Sequence, residues 1–594
     1  MLKECLNVFA EMLAEKGEDL ILDEYIPADG SYILVGADGM IKDVIEIKLN
    51  KKTRQLEDIS SEHLNIIRFY DYHSRLMSMN KPVNNKIIHS NNYLSFAVKK
   101  ESLKNGKLTN SIIDGYYTAL KNPLAKYSKS KEARRIYQQF IDVHGEPDIC
   151  LLEKCKAWIK NHIFQISETM PDGYEMNLDK KDYLKIFFEI SDDEAINKKL
   201  YCLEDDRYIM PNIYNKNDYN IEYEQCIYGL PDNNISMNTK KPFLANRTRK
   251  NPIPYLLDGK DVLLQKKFFD YLMNKASLAK FNIYVDTSET TIHAYTDKEN
   301  PDSMASGCYL RIKKGKELEI ASQDNISGYS DDTKQDFILR HIVDYSFFDK
   351  KYNNDYDNAH RQRSIIGDMI NDILFSKYLK TNYFTDAADL KINDAVLKCS
   401  LLTYRDTVFN WVYKGIDNDF AAKIDKCAAE LLKNSIISGY RDRAVRQMDM
   451  RWSLIDYFKG EDTMTQIAEE IRRNLKDKVL LDAADKISSD AEYCYAVGQL
   501  AGYFISLSKA SKKPQSMIKP FLNAANDALV KNRLRSLYNK YAYTIADGNR
   551  RLKNLYAMVL AYSPKKIDED MLLLGYLDNN CIYTKTKAVS NDNE

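Results

Sequence analysis

Three residues near the N-terminus have the types and spacing of half a metal-dependent nuclease site. Asp43, Glu46 and Lys48 lie in the hexapeptide DVIEIK. In such a site carboxylates hold Mg²⁺ and the lysine steadies the attacking water, and the supporting carboxylate would be Asp29 or Asp38. The same hexapeptide fits an edge strand in which charged and apolar residues alternate. We favour the strand and keep the Mg²⁺-dependent DNA nuclease as the alternative.

Other patterns of catalytic or metal-binding residues do not occur in the sequence. It contains no GxxxxGK[ST], GxSxG or HExxH motif. The eight histidines are dispersed without metal-ligand spacing, and the ten cysteines form no CxxC pair. We therefore expect structural histidines, reduced and mostly buried thiols, no metal, no cofactor and no enzymatic activity.

The chain is neutral overall but becomes strongly basic near its C-terminal end. It has 86 Lys+Arg and 86 Asp+Glu in total, whereas the segment from Lys509 to Lys553 carries eleven basic residues and two acidic ones. A one-sided positive surface favours nucleic acid as the partner. A purely structural helical bundle is the alternative, because basic faces can also meet acidic protein partners. The candidate DNA-binding residues of this segment are Lys509, Lys512, Lys513, Lys531, Arg533 and Arg535.

A second candidate is the segment HSNNYLSFAVKK, from His89 to Lys100, in which an Asn-rich turn precedes a strand that ends in paired lysines. An Asn side chain both donates and accepts hydrogen bonds, as the reading of a base edge requires, whereas Lys attracts phosphate without reading sequence. We predict base-edge contacts for Asn91 and Asn92 and backbone contacts for Lys99 and Lys100. A capped loop with a solvated strand end is the alternative.

A third candidate is the segment NTKKPFLANRTRK, from Asn238 to Lys250, which carries five basic residues and no acid. Its proline prevents one continuous helix. A basic loop that orders on a phosphate backbone fits this composition, and a solvated surface loop is the alternative. The candidate DNA-binding residues here are Lys240, Lys241, Arg247, Arg249 and Lys250.

Short strands and helices alternate in the first two thirds of the chain, and helices alone follow. Strands are predicted at residues 31–35, 44–49, 94–98, 281–285, 291–295, 309–312 and 318–321. Beyond about Asp386 the apolar residues recur at helical spacing, in seven segments between residues 395 and 561. We predict an α+β fold in which mixed N-terminal and middle α/β portions with short antiparallel sheets precede an all-α C-terminal helical bundle. The expected domains are residues 1–240, 241–390 and 391–594.

Two helices of the predicted bundle have recognisable packing surfaces. The buried face of one would consist of Val530, Leu534, Leu537 and Tyr541. Lys531, Arg533 and Arg535 would then lie largely outside that face. In another helix, Gly498 and Gly502 lie one turn apart and would let a neighbouring helix approach closely.

The sequence also bears on the expected compartment. It has no apolar run of membrane-spanning length, and residues 1–9 lack the basic-then-apolar layout of a secretory signal. We expect a cytoplasmic protein without a membrane partner.

Six segments, taken in order, resemble one protein family. Those in the first half are SMNKPVNNKIIHSNNYLSFAVKKESL (78–103), IMPNIYNKNDYN (209–220) and KKPFLANRTRKNPIPYLL (240–257). Those in the second half are YAVGQLAGYFISLSKASKKPQSMIKPFLN (495–523), LRSLYNKYAYTI (534–545) and NRRLKNLYAMVLAY (549–562). Together they resemble the large subunit of a type I-B CRISPR Cascade, and they span most of the chain.

The resemblance implies a non-catalytic subunit of a crRNA-guided antiviral surveillance complex. Such a subunit recognises the short PAM in duplex DNA, aids strand opening, stabilises the R-loop and recruits a separate helicase-nuclease, while guide RNA reads the sequence by base pairing. The implied partners are the crRNA-bound backbone subunits, a small subunit, the target duplex, the displaced strand and the helicase-nuclease. The PAM reader would lie in the N-terminal portion, with Asn91 and Asn92 as its base contacts.

The resemblance also implies that a small subunit can be translated from within the same gene. The Gly-Glu codons shortly before Met464 can spell a ribosome-binding sequence, and Thr463 would be the N-cap of a helix that starts there. The product, residues 464–594, would be the tail of the helical bundle. Met448 and Met450 are competing starts.

Overall fold

The structure of the protein is a computed structural model. It describes residues 2–583 except 51, 55, 58–60, 128–129, 172–173, 175, 215–219, 233–255, 316–317, 347–354, 462, 510–514 and 525. The chain divides into two compact units. Unit 1 comprises Met1–Asp297 and Ala305–Ser327, and unit 2 comprises Lys298–Met304 and Gly328–Glu594.

Helices and strands alternate up to about residue 362, and helices follow. The described strands are β1 (Gly30–Val35), β2 (Ile41–Ile47), β3 (Ser95–Lys99), β4 (Tyr183–Phe188), β5 (Ile221–Tyr223), β6 (Cys226–Tyr228), β7 (Asn282–Asp286), β8 (Thr291–Tyr295), β9 (Ser303–Met304), β10 (Gly307–Lys314), β11 (Leu318–Ile326), β12 (Tyr329–Ser330), β13 (Asp332–Ile338) and β14 (Ala359–Gln362). The described α-helices are α1 (Leu2–Lys16), α2 (Asp19–Leu22), α3 (Leu64–Tyr72), α4 (Lys100–Lys104), α5 (Asn110–Lys121), α6 (Pro123–Lys126), α7 (Lys131–His144), α8 (Ile149–His162), α9 (Glu194–Ile209), α10 (Gly259–Ser277), α11 (Arg363–Ile373), α12 (Ala395–Lys414), α13 (Phe420–Ile437), α14 (Arg441–Lys459), α15 (Thr463–Leu480), α16 (Asp490–Ser506), α17 (Lys519–Leu522), α18 (Asp527–Tyr541), α19 (Arg550–Ala561) and α20 (Glu569–Leu577).

The first sheet of unit 1 has the strand order β2-β1-β4-β3. Strand β1 pairs antiparallel with β2 and parallel with β4, and β3 pairs antiparallel with β4. Every residue of β1 is buried, as expected of an inner strand covered on both faces. The strands predicted at residues 31–35, 44–49 and 94–98 are confirmed, whereas β4 has no counterpart among the predicted strands.

The second sheet of unit 1 has the order β11-β10-β7-β8 with antiparallel pairing throughout. Its strands confirm the small antiparallel sheet predicted between residues 281 and 321. The sheet shares a core with helices α1 and α10, in which Phe9, Phe268 and Leu310 are fully buried. The second sheet thus shares its core with helices that precede it in the chain.

Unit 2 is mainly helical. Its described strands form two short antiparallel pairs, β9 with β12 and β13 with β14, and its described residues after β14 contain no strand. The seven helical segments predicted between residues 395 and 561 are confirmed as α12 to α16, α18 and α19, and α17 and α20 are additional. The α+β fold with a helical C-terminal part is therefore confirmed. None of the described helices has the length and apolar character needed to cross a bilayer.

Helices α16 and α20 approach each other at two glycines. A Cβ on Gly498 would lie 2.2 Å from the carbonyl oxygen of Leu572, and a Cβ on Gly575 would lie 2.1 Å from that of Tyr495. A Cβ on Gly502 would meet its nearest atoms at 3.7 Å, which is ordinary contact. The predicted close approach is confirmed at Gly498, whereas Gly502 is not required for it.

The predicted domains and the two units divide the chain differently. The boundary between residues 240 and 241 lies outside the described residues, and the boundary between 390 and 391 lies inside unit 2. Residues 241–390 are shared between the units because the second sheet belongs to unit 1. The three-domain division stays a prediction.

Candidate nucleic-acid interface

Helix α18 positions two of the predicted DNA-binding arginines. Asn526 caps its first turn with a side-chain hydrogen bond. Val530, Leu534 and Tyr541 are buried, and Leu537 packs against the same core. The predicted buried face is thus confirmed, and it fixes which residues of the helix point to solvent.

The solvent side of α18 is basic and carries no carboxylate. Arg533, Arg535 and Lys540 are exposed. The one acid of the helix, Asp527, accepts a hydrogen bond from the Tyr493 hydroxyl at 2.5 Å and is half-buried. Asp527 is therefore engaged by Tyr493 and Lys531 and pairs with none of the three exposed cations.

Lys531 requires a correction, because it does not lie outside the packed face. Its ammonium is 2.8 Å from the Asp527 carboxylate and donates to the carbonyl oxygen of Tyr562 at 2.5 Å. These contacts hold the first turn of α18 against the end of α19. Lys531 therefore has a packing role in this conformation.

An exposed tyrosine next to the basic helix is absent from the sequence-based candidates. Tyr543 follows α18 in a 3₁₀ turn, Ala542–Thr544, and is 75% exposed. The exposed Lys509 places its ammonium 5.9 Å from the centre of the Tyr543 ring. An exposed ring beside cations is typical of surfaces on which unpaired bases stack. An aromatic residue directly after a basic helix was the sequence feature that could have identified it.

The basic candidates of the segment from Asn238 to Lys250 and two lysines of the loop after α16 belong to parts of the chain that the structure does not describe. The following lie outside the described residues: Lys240, Lys241, Arg247, Arg249, Lys250, Lys512 and Lys513. Their predicted contacts with DNA stay predictions.

Asn91 and Asn92 are buried, which corrects the expectation that they lie at the surface. Asn91 donates to the carbonyl oxygen of Arg75 at 2.8 Å and to the carboxylate of Asp205 at 2.7 Å. Asn92 donates to the carbonyl oxygen of Tyr201 at 3.3 Å and accepts a backbone N–H two residues further on at 2.9 Å. In this conformation neither amide is accessible to a base edge.

The two lysines at the end of β3 have different environments. Lys99 is exposed, and its predicted contact with a DNA backbone stays a prediction. Lys100 is fully buried, with its ammonium 2.9 Å from Asp182 and 3.8 Å from Glu46. Lys100 therefore neutralises two half-buried carboxylates, which corrects its assignment to a phosphate-binding surface.

The two carboxylates of the nuclease alternative lie on opposite faces of β2, because they are three residues apart in a regular part of the strand. Asp43 accepts hydrogen bonds from Ser61 at 2.6 Å and from His63 at 2.9 Å. Although burial opposes ionisation, these bonds keep the pKa of Asp43 below its usual value. The exposed Lys48 forms a surface ion pair with Glu57 at 3.0 Å.

Glu46 accepts hydrogen bonds from a different group of residues than Asp43 does. It accepts hydrogen bonds from Lys180 at 2.6 Å and from the Tyr174 hydroxyl at 2.9 Å. Burial raises its pKa, but these donors outweigh burial and lower it overall. Glu46 and Asp43 thus serve two separate hydrogen-bond groups and do not converge on one position.

The predicted helix start at Thr463 is confirmed, but its cap is different. The carboxylate of Asp456 accepts from the backbone N–H of Met464 at 3.1 Å and from the Thr463 hydroxyl at 3.3 Å. Asp456 belongs to α14, so the first turn of α15 is bound to the preceding helix. A product that begins at Met464 would lack this cap.

Comparison with protein-family models, with curated proteins and with solved structures finds no match to this chain.

Proposed function

We propose that this chain is the non-catalytic large subunit of a crRNA-guided antiviral surveillance complex. In this role it recognises the PAM in duplex DNA, aids strand opening, stabilises the R-loop and recruits a separate helicase-nuclease. The ordered sequence resemblance supports the class of protein. The acid-free basic side of α18 supports a polyanion as its ligand.

The main structural support for the proposal is the set of exposed basic residues on α18, which can bind a phosphate backbone. Arg533 and Lys540, seven residues apart, lie on one flank of the exposed side of α18 and Arg535 lies on the other flank, and the one carboxylate of the helix is half-buried and bonded to Tyr493. Such cations attract phosphates without reading sequence. Tyr543 and Lys509 add a surface for stacking, and stacking requires unpaired bases. We therefore assign the displaced single strand to this surface.

The PAM reader is proposed for the N-terminal portion of unit 1 without named base contacts. Asn91 and Asn92 are committed to internal hydrogen bonds, so they could read a base only after a conformational change. Lys99 is the exposed residue of that segment and would contact the DNA backbone. The basic residues between 240 and 250 would grip duplex or displaced backbone.

The salt dependence of DNA binding tests the assignment to α18. We expect Arg533→Ala/Arg535→Ala to weaken binding of the purified chain to single-stranded DNA. If each arginine contacts one phosphate, the slope of log affinity against log salt should fall by about 0.7 per residue, or about 1.4 for the pair. The measurement is a fluorescence-anisotropy titration at several salt concentrations.

The matched control is Lys423→Ala/Lys426→Ala, which removes two exposed cations from helix α13 of the same unit. This variant should retain the slope of the unsubstituted chain. If the slope falls equally in both double variants, the DNA is attracted by the exposed cations of unit 2 in general and not by a surface on α18. A protein-interaction scaffold that does not use nucleic acid would instead show no steep salt dependence of its affinity for DNA.

The Mg²⁺-dependent nuclease stays an alternative without a supporting geometric observation. Its site would need Asp43 and Glu46 at one ion, although they lie on opposite faces of β2. Metal-dependent DNA cleavage by the isolated chain, abolished by Glu46→Ala, would establish that activity.

A further inference from the structure

His73 lies at the centre of a polar cluster in unit 1 that the proposed function does not use. Its Nε2 atom is 2.9 Å from a carboxylate oxygen of Glu18. The Sγ atom of Cys202, in α9, is 3.8 Å from the same Nε2. These three ligand atoms all lie within 4.8 Å of one another. They come from three separate parts of the chain, which is why no sequence spacing reveals them.

The spacing of these atoms is close to that of a tetrahedral zinc site. Zinc bonds of about 2.0–2.3 Å at tetrahedral angles separate neighbouring ligand atoms by about 3.3–3.6 Å. The observed 2.9 Å and 3.8 Å bracket this range. The distance between the Glu18 and Cys202 ligand atoms is at most 4.8 Å, so rotation of these two side chains is what the binding of one ion would require.

The surroundings fix the orientation of the His73 ring. Its Nδ1 atom faces the Asp205 carboxylate at 3.3 Å, and the other oxygen of Asp205 accepts from Asn91 at 2.7 Å. The ring also packs 4.5 Å from the centre of the Phe69 ring. A carboxylate on the second nitrogen is the usual support of a metal-bound histidine, because it sets the tautomer and directs the free nitrogen at the metal.

We propose that Glu18, His73 and Cys202 bind a divalent transition-metal ion, and that Asp205 and Asn91 are positioning residues for it. Nitrogen, sulfur and oxygen donors together fit zinc. The ion would replace the proton between His73 and Glu18 and the thiol proton of Cys202, so the net charge of the cluster is unchanged. Three protein ligands leave the fourth position to water.

The location of the cluster is compatible with metal entry. His73 is buried, whereas the Glu18 side chain is 27% exposed and Cys202 is half-buried. Lys267 lies 2.7 Å from the other oxygen of Glu18 and does not occupy the proposed position. Asn91, predicted as a base reader, thereby acquires a different role.

Cobalt substitution of the full chain tests this site. After removal of bound metal, titration with Co²⁺ should give one equivalent bound, with a thiolate-to-cobalt charge-transfer band and the visible bands of tetrahedral cobalt. Added zinc should displace the cobalt, and the charge-transfer band and the visible bands should then disappear. Cys202→Ser should abolish the charge-transfer band, whereas Cys150→Ser, which alters an exposed thiol of the same unit, should retain it.

Asn91→Ala tests the positioning residues separately. It should retain one cobalt per chain with affinity reduced about 10- to 100-fold, and unchanged affinity would overturn the positioning role. The metal site itself is overturned if the unsubstituted chain shows no charge-transfer band. It is also overturned if Cys202→Ser, folded by circular dichroism, gives the same cobalt spectrum as the unsubstituted chain. The proposal does not depend on DNA binding, so it can stand or fail alone.

Discussion

At the scale of single residues, Asn91 and Asn92 show that residue type alone does not determine whether a side chain is buried or which partners it binds. An Asn pair in a turn suits a base edge, but it equally suits backbone and carboxylate groups that need a partner. Their partners Asp205 and Tyr201 lie 114 and 109 residues further along the chain, in α9. Local sequence could therefore predict the turn and the strand after it, but not the burial.

The buried role of Asn92 gives a prediction at this scale. Asn92→Ala leaves the backbone N–H of Leu94 without its side-chain acceptor and removes the hydrogen bond from the amide to the carbonyl oxygen of Tyr201, so we expect the free energy of unfolding to fall by about 1–3 kcal/mol. Urea denaturation measures it. Asn105→Ala, at an exposed helix end of the same unit, is the control and should cost less. A stable Asn92→Ala variant with altered PAM preference would restore the base-reading role.

The basic candidates of α18 also differ in whether contacts with distant parts of the chain cover them. Arg533 and Arg535 are exposed, as the helical spacing of the apolar residues predicts. Lys531 is not, because the end of α19 brings the carbonyl oxygen of Tyr562 within its reach. Periodicity predicts which side of a helix is buried, but not which neighbouring element borders the exposed side.

At the scale of elements, periodic segments could be predicted and uniformly apolar ones could not. The amphipathic α18 and the alternating β2 have clear periods. Helix α20, with the sequence EDMLLLGYL, is apolar on all sides because it is buried throughout its last seven residues. The parallel partner of β1 is a strand more than a hundred residues away, which no local pattern identifies.

The approach of α16 and α20 gives a prediction at this scale. Gly498→Ala would place a methyl group 2.2 Å from a backbone oxygen of Leu572, so the helices must separate and the melting temperature should fall by several degrees. Gly502→Ala on the same helix has room at 3.7 Å and should be neutral or stabilising, since Ala favours a helix over Gly. Equal melting temperatures for the two variants would contradict the packing described.

At the scale of the whole molecule, the tail that starts at Met464 is not separate from the rest of unit 2. The core of that unit combines tail helices with Leu432, Met448 and Trp452 from α13 and α14. A fragment of residues 464–594 would expose apolar surface that these residues cover, and it would lack the Asp456 cap. If it is made separately, we expect it to need a partner surface in the complex.

The most direct test of the account is to isolate the tagged full-length chain from its source cells and to identify what remains bound. We predict short RNAs that share a repeat-derived end, together with several protein subunits. Mass spectrometry of the same sample should also show a species of tail size that begins near Met464. A chain that is recovered without RNA and without partner subunits would contradict the proposed role in a crRNA-guided complex.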